Sequence, residues 1–248
     1  LMNVLSVLLL YLKLKNGELP NFYPTAFIFA GKAAPGYHAA KEVIRLINTV
    51  AEFLNRDDTV KNLLQVVFMP DYNIKNAMQI IPAANLSEQI SMATTEASGT
   101  GNMKLSMNGA PTVGTLDGAN IEIVRAAGEE NNYIFGANAT QIKQTLATYS
   151  PWDVYHTNPE IREVLALLQN GVLGDFDFLY KTLLGDHDPD RYRTLMDLPS
   201  YNEARLQANA DYQNTELFAT KCLHNIAGSA GFSSDRTVQD YNRLIWQL

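Results

Sequence analysis

The sequence predicts an α/β fold, in which a Rossmann-like parallel sheet is flanked by helices and is followed by a largely helical carboxyl-terminal part. Three observations predict it. Two short apolar runs, "TAFIFA" (25–30) and "LQVVFM" (64–69), are separated by an amphipathic stretch of helical period. Gly or Pro residues follow both runs. From about residue 139 onward, leucine-rich stretches with helical spacing dominate the chain.

The first element is an apolar helix. The run "LMNVLSVLLLYL" is 12 residues long, which is shorter than the roughly 20 residues that span a bilayer. It also lacks the basic region and the cleavage site of a signal peptide. We therefore expect a helix of the protein core. Because the chain opens inside this helix without a capping residue, and with Leu1 in place of Met, we also expect the sequence to come from a longer polypeptide.

The next elements form a βαβ unit. A helix over 39–55 is expected between the two apolar runs, and such a unit pairs its strands in parallel through a right-handed crossover. Ligands of open parallel sheets bind beyond the carboxyl ends of the strands, so "GKAAPGYH" and "PDYN" are candidate site segments. The residues that give this helix its apolar face are Val43, Ile44, Ile47, Val50, Ala51 and Leu54.

The remaining elements surround a glycine run, "EASGTGNMKLSMNG" (96–109). A helix is expected over "NIKNAMQII" (73–81), followed by the polar stretch "SEQISMATTE". After the glycine run, short strands are expected at "PTVGT", "NIEIV" and "NYIFG". We therefore expect one unit over 1–248, with a Rossmann-like α/β part at 1–138 that holds the ligand site and a mostly helical part at 139–248.

Composition excludes several functions. The chain has 19 Lys and Arg residues against 26 Asp and Glu residues, and its net charge is −7. The basic residues are scattered, so we expect no binding to nucleic acid or to an anionic membrane. The single cysteine, Cys222, excludes an internal disulfide and a multi-cysteine metal site. One cysteine is typical of a reducing compartment, and we expect the cytoplasm.

The glycine run fits neither of the common phosphate-binding motifs. A dinucleotide fingerprint requires glycine at 104, and a Walker A loop requires Gly before the lysine and Ser or Thr after it, where Met103 and Leu105 stand. What remains is a turn whose amides near Thr100 and Gly101 open onto a helix start, which favours an anion. Lys104 lies roughly 6 Å further along that helix, comparable to the separation of the phosphate and the aldehyde carbon in pyridoxal phosphate. The spacing alone leaves open a surface helix with a solvated lysine.

Two acidic motifs are better explained as turns. The segment "GDHDPDRYR" fails the EF-hand pattern because Arg191 replaces the glycine and Pro189 lies inside the loop, so we expect a solvated turn and no metal site. The segment "TLDGAN" could suggest a catalytic Asp117. We expect instead a turn in which Gly118 and Asn120 adopt unusual backbone angles.

The glycine run resembles the pyridoxal-phosphate attachment motif of the α-glucan phosphorylases, the family of glycogen, starch and maltodextrin phosphorylases. "GKAAPGYHAAK", "IPAANLSEQIS", "TVGTLDGANIEI" and "FSSDRTVQDYNRLIW" are similar to segments of that family and occur in its order, so the resemblance covers essentially the whole chain. It implies the carboxyl-terminal, cofactor-bearing domain of an enzyme with two Rossmann-like domains facing each other across a cleft, the GT-B architecture. The resemblance also implies a family of allosteric enzymes.

The resemblance also implies roles for individual residues. Lys104 is expected to carry pyridoxal 5′-phosphate as a Schiff base, with Lys104 and Glu96 as the catalytic residues. One departure is Thr94, which stands where the family commonly has glycine, so the approach to the site is expected to be stiffer. The cofactor phosphate is expected to meet Thr100, Gly101 and Tyr72, and the hydroxyls of the glucosyl unit are expected to meet Glu96, Ala97, Ser98 and Gly99.

The implied reaction is phosphorolysis of the terminal α-1,4 bond of a glucan by inorganic phosphate, giving α-glucose 1-phosphate. The resemblance further implies a homodimer of the full-length enzyme and an inactive isolated chain, because the facing domain and a basic phosphate-binding segment lie outside these residues. Two alternatives remain. A pyridoxal enzyme of amino-acid metabolism would need a carboxylate at the pyridine nitrogen and an arginine for the substrate carboxylate. A non-catalytic Rossmann module would bind a sugar or nucleotide without chemistry.

Overall fold

The amino-terminal half alternates helices and strands, as expected. The computed structural model describes residues 1–145 and 148–247. Helix α1 was expected to be a core helix, and this is confirmed, since seven of its apolar residues are buried. The elements of this half are α1 (Met2–Lys15), β1 (Thr25–Ala30), α2 (His38–Asn55), β2 (Leu64–Met69), α3 (Ile74–Ala83), β3 (Ser87–Gln89), α4 (Gly101–Met107), β4 (Thr112–Gly114), α5 (Asn120–Ala127) and β5 (Tyr133–Ile134).

Parallel pairing joins the strands. β1 pairs with β2 in parallel from Thr25 opposite Leu64 to Ala30 opposite Met69, which confirms the βαβ unit. β3, β4 and β5 are also parallel and lie in that order. Among the described residues the strands therefore form two short parallel sheets flanked by helices, rather than one continuous sheet. The α/β class is thus confirmed.

Two expectations for this half are wrong. The segment "NIEIV" is not a strand but the start of α5, because its buried residues Asn120, Ile123, Val124 and Ala127 follow the helical period and not an alternation of two. The polar stretch after α3 contains a strand, β3, that the sequence did not indicate. It has only three residues, and its Ser87 is buried by pairing with Thr112 of β4.

The chain after β5 is helical, as expected. Its helices pack back onto the first half, with α1 lying against α2, α8 and α10. The Ser6 hydroxyl of α1 donates to Asn202 of α10 at 3.1 Å. None of the described helices combines the length and apolarity needed to cross a bilayer. The helices are α6 (Ala139–Thr145), α7 (Pro151–Thr157), α8 (Pro159–Ala166), α9 (Asp177–Leu184), α10 (Thr194–Tyr212), α11 (Thr215–Gly228) and α12 (Ser234–Tyr241), with a π-helical turn at Asn242–Trp246.

The acidic segment before α10 is only partly the solvated turn that was expected. Asp186 and Asp188 are exposed, but Asp190 is buried. Its carboxylate accepts the backbone N–H groups of Thr194 at 2.7 Å and Leu195 at 2.9 Å. Asp190 therefore caps the amino-terminal end of α10, where free N–H groups favour a carboxylate.

Candidate functional site

The glycine run folds as a turn followed by a short helix. Gly99 has a φ of +80°, which glycine adopts without steric cost. Thr100 is the N-cap of α4, which begins at Gly101, so the expected helix start is confirmed. Lys104 lies within α4 with an exposed side chain, and among the described residues its ammonium group forms no ion pair. The local sequence therefore presents Lys104 to solvent on a helix that begins at the glycine turn.

Asp117 holds the turn that precedes the glycine run. This residue follows β4 and its side chain is buried. One carboxylate oxygen accepts the N–H of Thr94 at 2.9 Å. The other accepts the N–H groups of Thr95 at 3.0 Å and Glu96 at 2.7 Å. A carboxylate that accepts three backbone N–H groups is fixed in place, and so is the turn that donates to it.

The loop between β4 and α5 also forms a backbone hydrogen bond with Ser98. The N–H of Ala119 donates to the carbonyl oxygen of Ser98 at 2.7 Å. Gly118 has a φ of +51°, and a Cβ there would lie 2.6 Å from that same oxygen. Gly118 was expected to adopt an unusual backbone angle, and this is confirmed.

Asn120 does not adopt the unusual backbone angle that was expected of it. It is the first residue of α5 and does not have a positive φ. Its side chain accepts from the amide of Asn102 at 3.0 Å and donates to the carbonyl of Thr115 at 3.0 Å. The side chain of Asn120 thus ties α4 to the end of β4, because its amide both donates and accepts.

A depression opens where these segments meet. Its volume is about 490 Å³. It brings together Glu96, Ala97 and Ser98, three of the residues expected to bind a sugar. Thr100, Gly101, Lys104 and Tyr72 are not among the residues that line it. The lining residues are Glu96, Ala97, Ser98, Met103, Asp117, Gly118, Ala119, Ile121, Glu122 and Phe232.

Tyr72 lies on a neighbouring segment. It is exposed and comes directly before α3, whose N-cap is Asn73 and which packs against α4.

Thr94 shows the consequence of its departure from glycine, because its φ is +83°. A β-branched residue at such an angle is a steric outlier that the surrounding structure must hold.

The role of Asp117 was not predicted from the sequence, which suggests either a catalytic group or a turn at this position. A signal was available, because Asp117 follows the carboxyl end of a parallel strand, where site residues of α/β folds gather. Its partners at 94–96 lie more than 20 positions earlier, so only the folded chain identifies them.

Comparison with known proteins identifies the family of the chain. A family model described as "Carbohydrate phosphorylase" matches residues 1–248. The chain belongs to the carbohydrate phosphorylases. A glycogen phosphorylase of Synechocystis is 45% identical over 253 residues, covering 100% of this chain and 29% of that protein. One from Bacillus subtilis is 42% identical over 254 residues (100% and 32%), and the human muscle form is 41% identical over 251 residues (99% and 30%). The chain spans about 30% of the length of these phosphorylases.

The residues of this phosphorylase chain fit pyridoxal phosphate in two respects. The Lys104 amine is exposed and is not engaged in an ion pair with any described residue. The Thr100 side chain makes no capping hydrogen bond to α4, which leaves its hydroxyl available. In the part of the chain that the structure describes, no group of three His, Cys, Asp or Glu side chains is placed to hold a metal ion.

Proposed function

We propose that these residues form the cofactor-bearing part of an α-1,4-glucan phosphorylase. The observation that carries the proposal is the family match over residues 1–248, which runs through the segment containing Lys104. Because the chain spans about 30% of its relatives, the proposed enzyme includes further domains. We propose the GT-B arrangement for it, with this chain as the carboxyl-terminal domain, divided into an α/β part at 1–138 and a mostly helical part at 139–248.

Lys104 is proposed to hold pyridoxal 5′-phosphate covalently through Nζ. Thr100 and Gly101 would donate hydrogen bonds to the cofactor phosphate from the start of α4, and Tyr72 would donate from the end of the neighbouring segment. Each of these three residues is exposed. When bound, the cofactor would supply a phosphate whose second pKa is near 6, a group able to donate and accept a proton near neutrality.

Glu96 is proposed to bind the hydroxyls of the glucosyl unit, with backbone donors from Ala97, Ser98 and Gly99. Glu96, Ala97 and Ser98 share the depression, and the Glu96 turn is held by Asp117. Fixed polar groups suit a sugar, because a site built to hydrogen-bond hydroxyls rejects ligands that lack them. The substrates are α-1,4-glucan and inorganic phosphate, and the product is α-glucose 1-phosphate.

The isolated chain is proposed to be inactive. The depression is open to solvent, and charges act strongly only where water is excluded. A facing domain in the full-length enzyme would exclude that water. We further propose a cytoplasmic homodimer for the full-length enzyme, with Cys222 as a free thiol.

The test is cofactor labelling and phosphorolysis. A full-length phosphorylase containing this chain is incubated with pyridoxal phosphate and reduced with borohydride, and the labelled peptide is sequenced. Glucose 1-phosphate release from maltoheptaose and phosphate is measured in parallel. We expect one pyridoxyl group, on Lys104, and loss of both label and activity in Lys104→Ala.

The matched control is Lys41→Ala, which removes another exposed lysine from helix α2. It should retain label and activity. Stoichiometric label in Lys104→Ala would refute the cofactor assignment, and phosphorolysis by the isolated chain above its Lys104→Ala control would refute the need for a facing domain. An amino-acid-dependent change in the absorbance of the cofactor would favour an enzyme of amino-acid metabolism instead.

A further inference from the structure

We propose that Asp117 is a positioning residue for the glucosyl site. Its carboxylate holds the 94–96 turn in a conformation that Thr94 disfavours, and thereby fixes where the Glu96 side chain points. This inference rests on the proposed function, because it takes Glu96 as the group that binds the sugar.

The backbone of Thr94 is strained. Its φ of +83° lies in the region that glycine favours and β-branched residues avoid. The strained residue is itself a partner of Asp117, since its N–H donates to the carboxylate at 2.9 Å. Such a conformation persists only where surrounding contacts over-determine it. The Asp117 carboxylate provides these contacts.

The Asp117 carboxylate is also coupled directly to Glu96. The shortest of the three hydrogen bonds, 2.7 Å, comes from the N–H of Glu96. The same loop approaches Glu96 from another side, because a Cβ on Gly118 would lie 2.9 Å from its Cγ. A change at Asp117 should therefore displace the start of the Glu96 side chain, two residues beyond the strained Thr94.

Only a carboxylate fits this role. It offers two acceptor oxygens to three donors, whereas asparagine offers one oxygen and an NH₂ group. Whichever way the amide of an asparagine is turned, its NH₂ group faces at least one N–H donor of the turn. We expect Asp117→Asn to release Thr94 from its positive φ and to displace Glu96.

The experiment compares four forms of the full-length enzyme: wild type, Asp117→Asn, Thr94→Gly and the double variant. We expect Asp117→Asn to lower kcat per labelled Lys104 by roughly 10- to 100-fold, the scale of a misplacement of about 1 Å. Lys104 labelling should persist, because α4 and not the 94–96 turn carries that residue. Glycine tolerates a positive φ. The kcat of the double variant should therefore be at least roughly fivefold higher than that of Asp117→Asn.

Hydrogen exchange of the amides of 94–96 provides a readout that does not depend on activity. It should be faster in Asp117→Asn than in wild type and slowed again in the double variant. The control is Asp57→Asn, which alters a carboxylate that accepts the N–H of Thr59 at 3.0 Å in the turn after α2. It should leave kcat and the exchange of 94–96 unchanged.

The outcomes separate the two proposals. Absence of phosphorolysis in the wild-type enzyme would overturn the proposed function, and this inference with it. An active wild type with an equally active Asp117→Asn would overturn only the positioning role. So would a double variant in which Thr94→Gly worsens the defect, because relief of strain would then not be the coupling.

Discussion

The Arg205 Nε lies 3.1 Å from a carboxylate oxygen of Glu88, and these side chains are only 4% and 19% exposed. The second Glu88 oxygen accepts from the Tyr201 hydroxyl at 2.7 Å and from the Asn3 amide. The guanidinium also lies 3.9 Å from the centre of the Phe27 ring. This ion pair and the contacts around it thus join β1, β3, α1 and α10.

Removal of the Glu88 carboxylate should destabilise the fold strongly. Glu88→Ala leaves the Arg205 charge buried without its partner, and we expect the free energy of unfolding to fall by roughly 3–5 kcal/mol. The control Glu52→Ala breaks a pair with Arg56 whose side chains are 72% and 79% exposed, and it should change stability by no more than about 0.5 kcal/mol. Urea unfolding measures both. Similar losses in the two variants would show that the buried pair contributes no more than a surface one.

Substitution of Gly118 should lower the free energy of unfolding by more than its positive φ alone explains. Gly118→Ala introduces a Cβ 2.6 Å from the Ser98 carbonyl oxygen at a φ of +51°, and we expect a loss of roughly 2–3 kcal/mol. Gly17→Ala isolates the backbone term, because Gly17 has a φ of +72° and no atom within 4 Å of the added Cβ. The free energy of unfolding of Gly17→Ala should fall by only about 1 kcal/mol. Equal melting temperatures for the two variants would argue against the close approach at residue 98.

The carboxylate of Glu96 should affect sugar transfer and not cofactor attachment. In the full-length enzyme we expect Glu96→Gln to reduce kcat/KM by roughly 10- to 100-fold, the range for losing a hydrogen bond to a charged group. Borohydride-stable label on Lys104 should persist. Glu129→Gln, an exposed acid outside the depression, is the control. If label and activity fall together in Glu96→Gln, the residue lies on the cofactor side of the turn.

Asp197 should make stability depend on pH in an unusual direction. Burial raises the pKa of this carboxyl from 3.8 to about 6, the N–H of Ala137 opposes the shift, and the charge of Asp190 adds to it. The fold therefore favours the protonated form. The contribution of Asp197 to stability is fully present below about pH 4 and is lost as the pH rises through 6.

Asp197→Asn should remove this dependence. We expect the stability of the variant relative to wild type to increase by roughly 2–3 kcal/mol between pH 4 and pH 7, measured by urea unfolding at a series of pH values. Asp177→Asn is the control, because contact with Lys181 lowers the pKa of Asp177 and the expected change has the opposite sign. Parallel curves for wild type and Asp197→Asn would contradict the pKa assignment.

The βαβ unit was predictable because its signals are local. The strands at 25–30 and 64–69 are apolar runs bounded by Gly or Pro, and their observed limits agree with the expectation. β3 has no pattern of its own, since three residues are too few to show an alternation and pairing with β4 defines them. α5 was mistaken for a strand because its β-branched residues outweigh the helical period over five positions.

In the candidate site, too, the local features were predictable from the sequence and the long-range contacts were not. The glycine turn and the start of α4 follow from glycine chemistry, and the structure has both. The hydrogen bonds between Asp117 and the 94–96 turn join residues 21 to 23 positions apart, and no sequence period encodes that distance. The strain at Thr94 was indicated only by the family resemblance, because glycine is common in the family at this position.

The burial of α1 has a consequence for biosynthesis. Ser6 contacts Asn202, 196 positions later, so much of the surface that covers α1 is made long after α1 itself. At a synthesis rate of about 5–20 residues per second, the interval between these residues is roughly 10–40 s. During that time the leucine-rich face of α1 has left the ribosome without its partner helix. The nascent chain thus presents a hydrophobic segment that lacks its α10 partner until the last fifth of these residues is made.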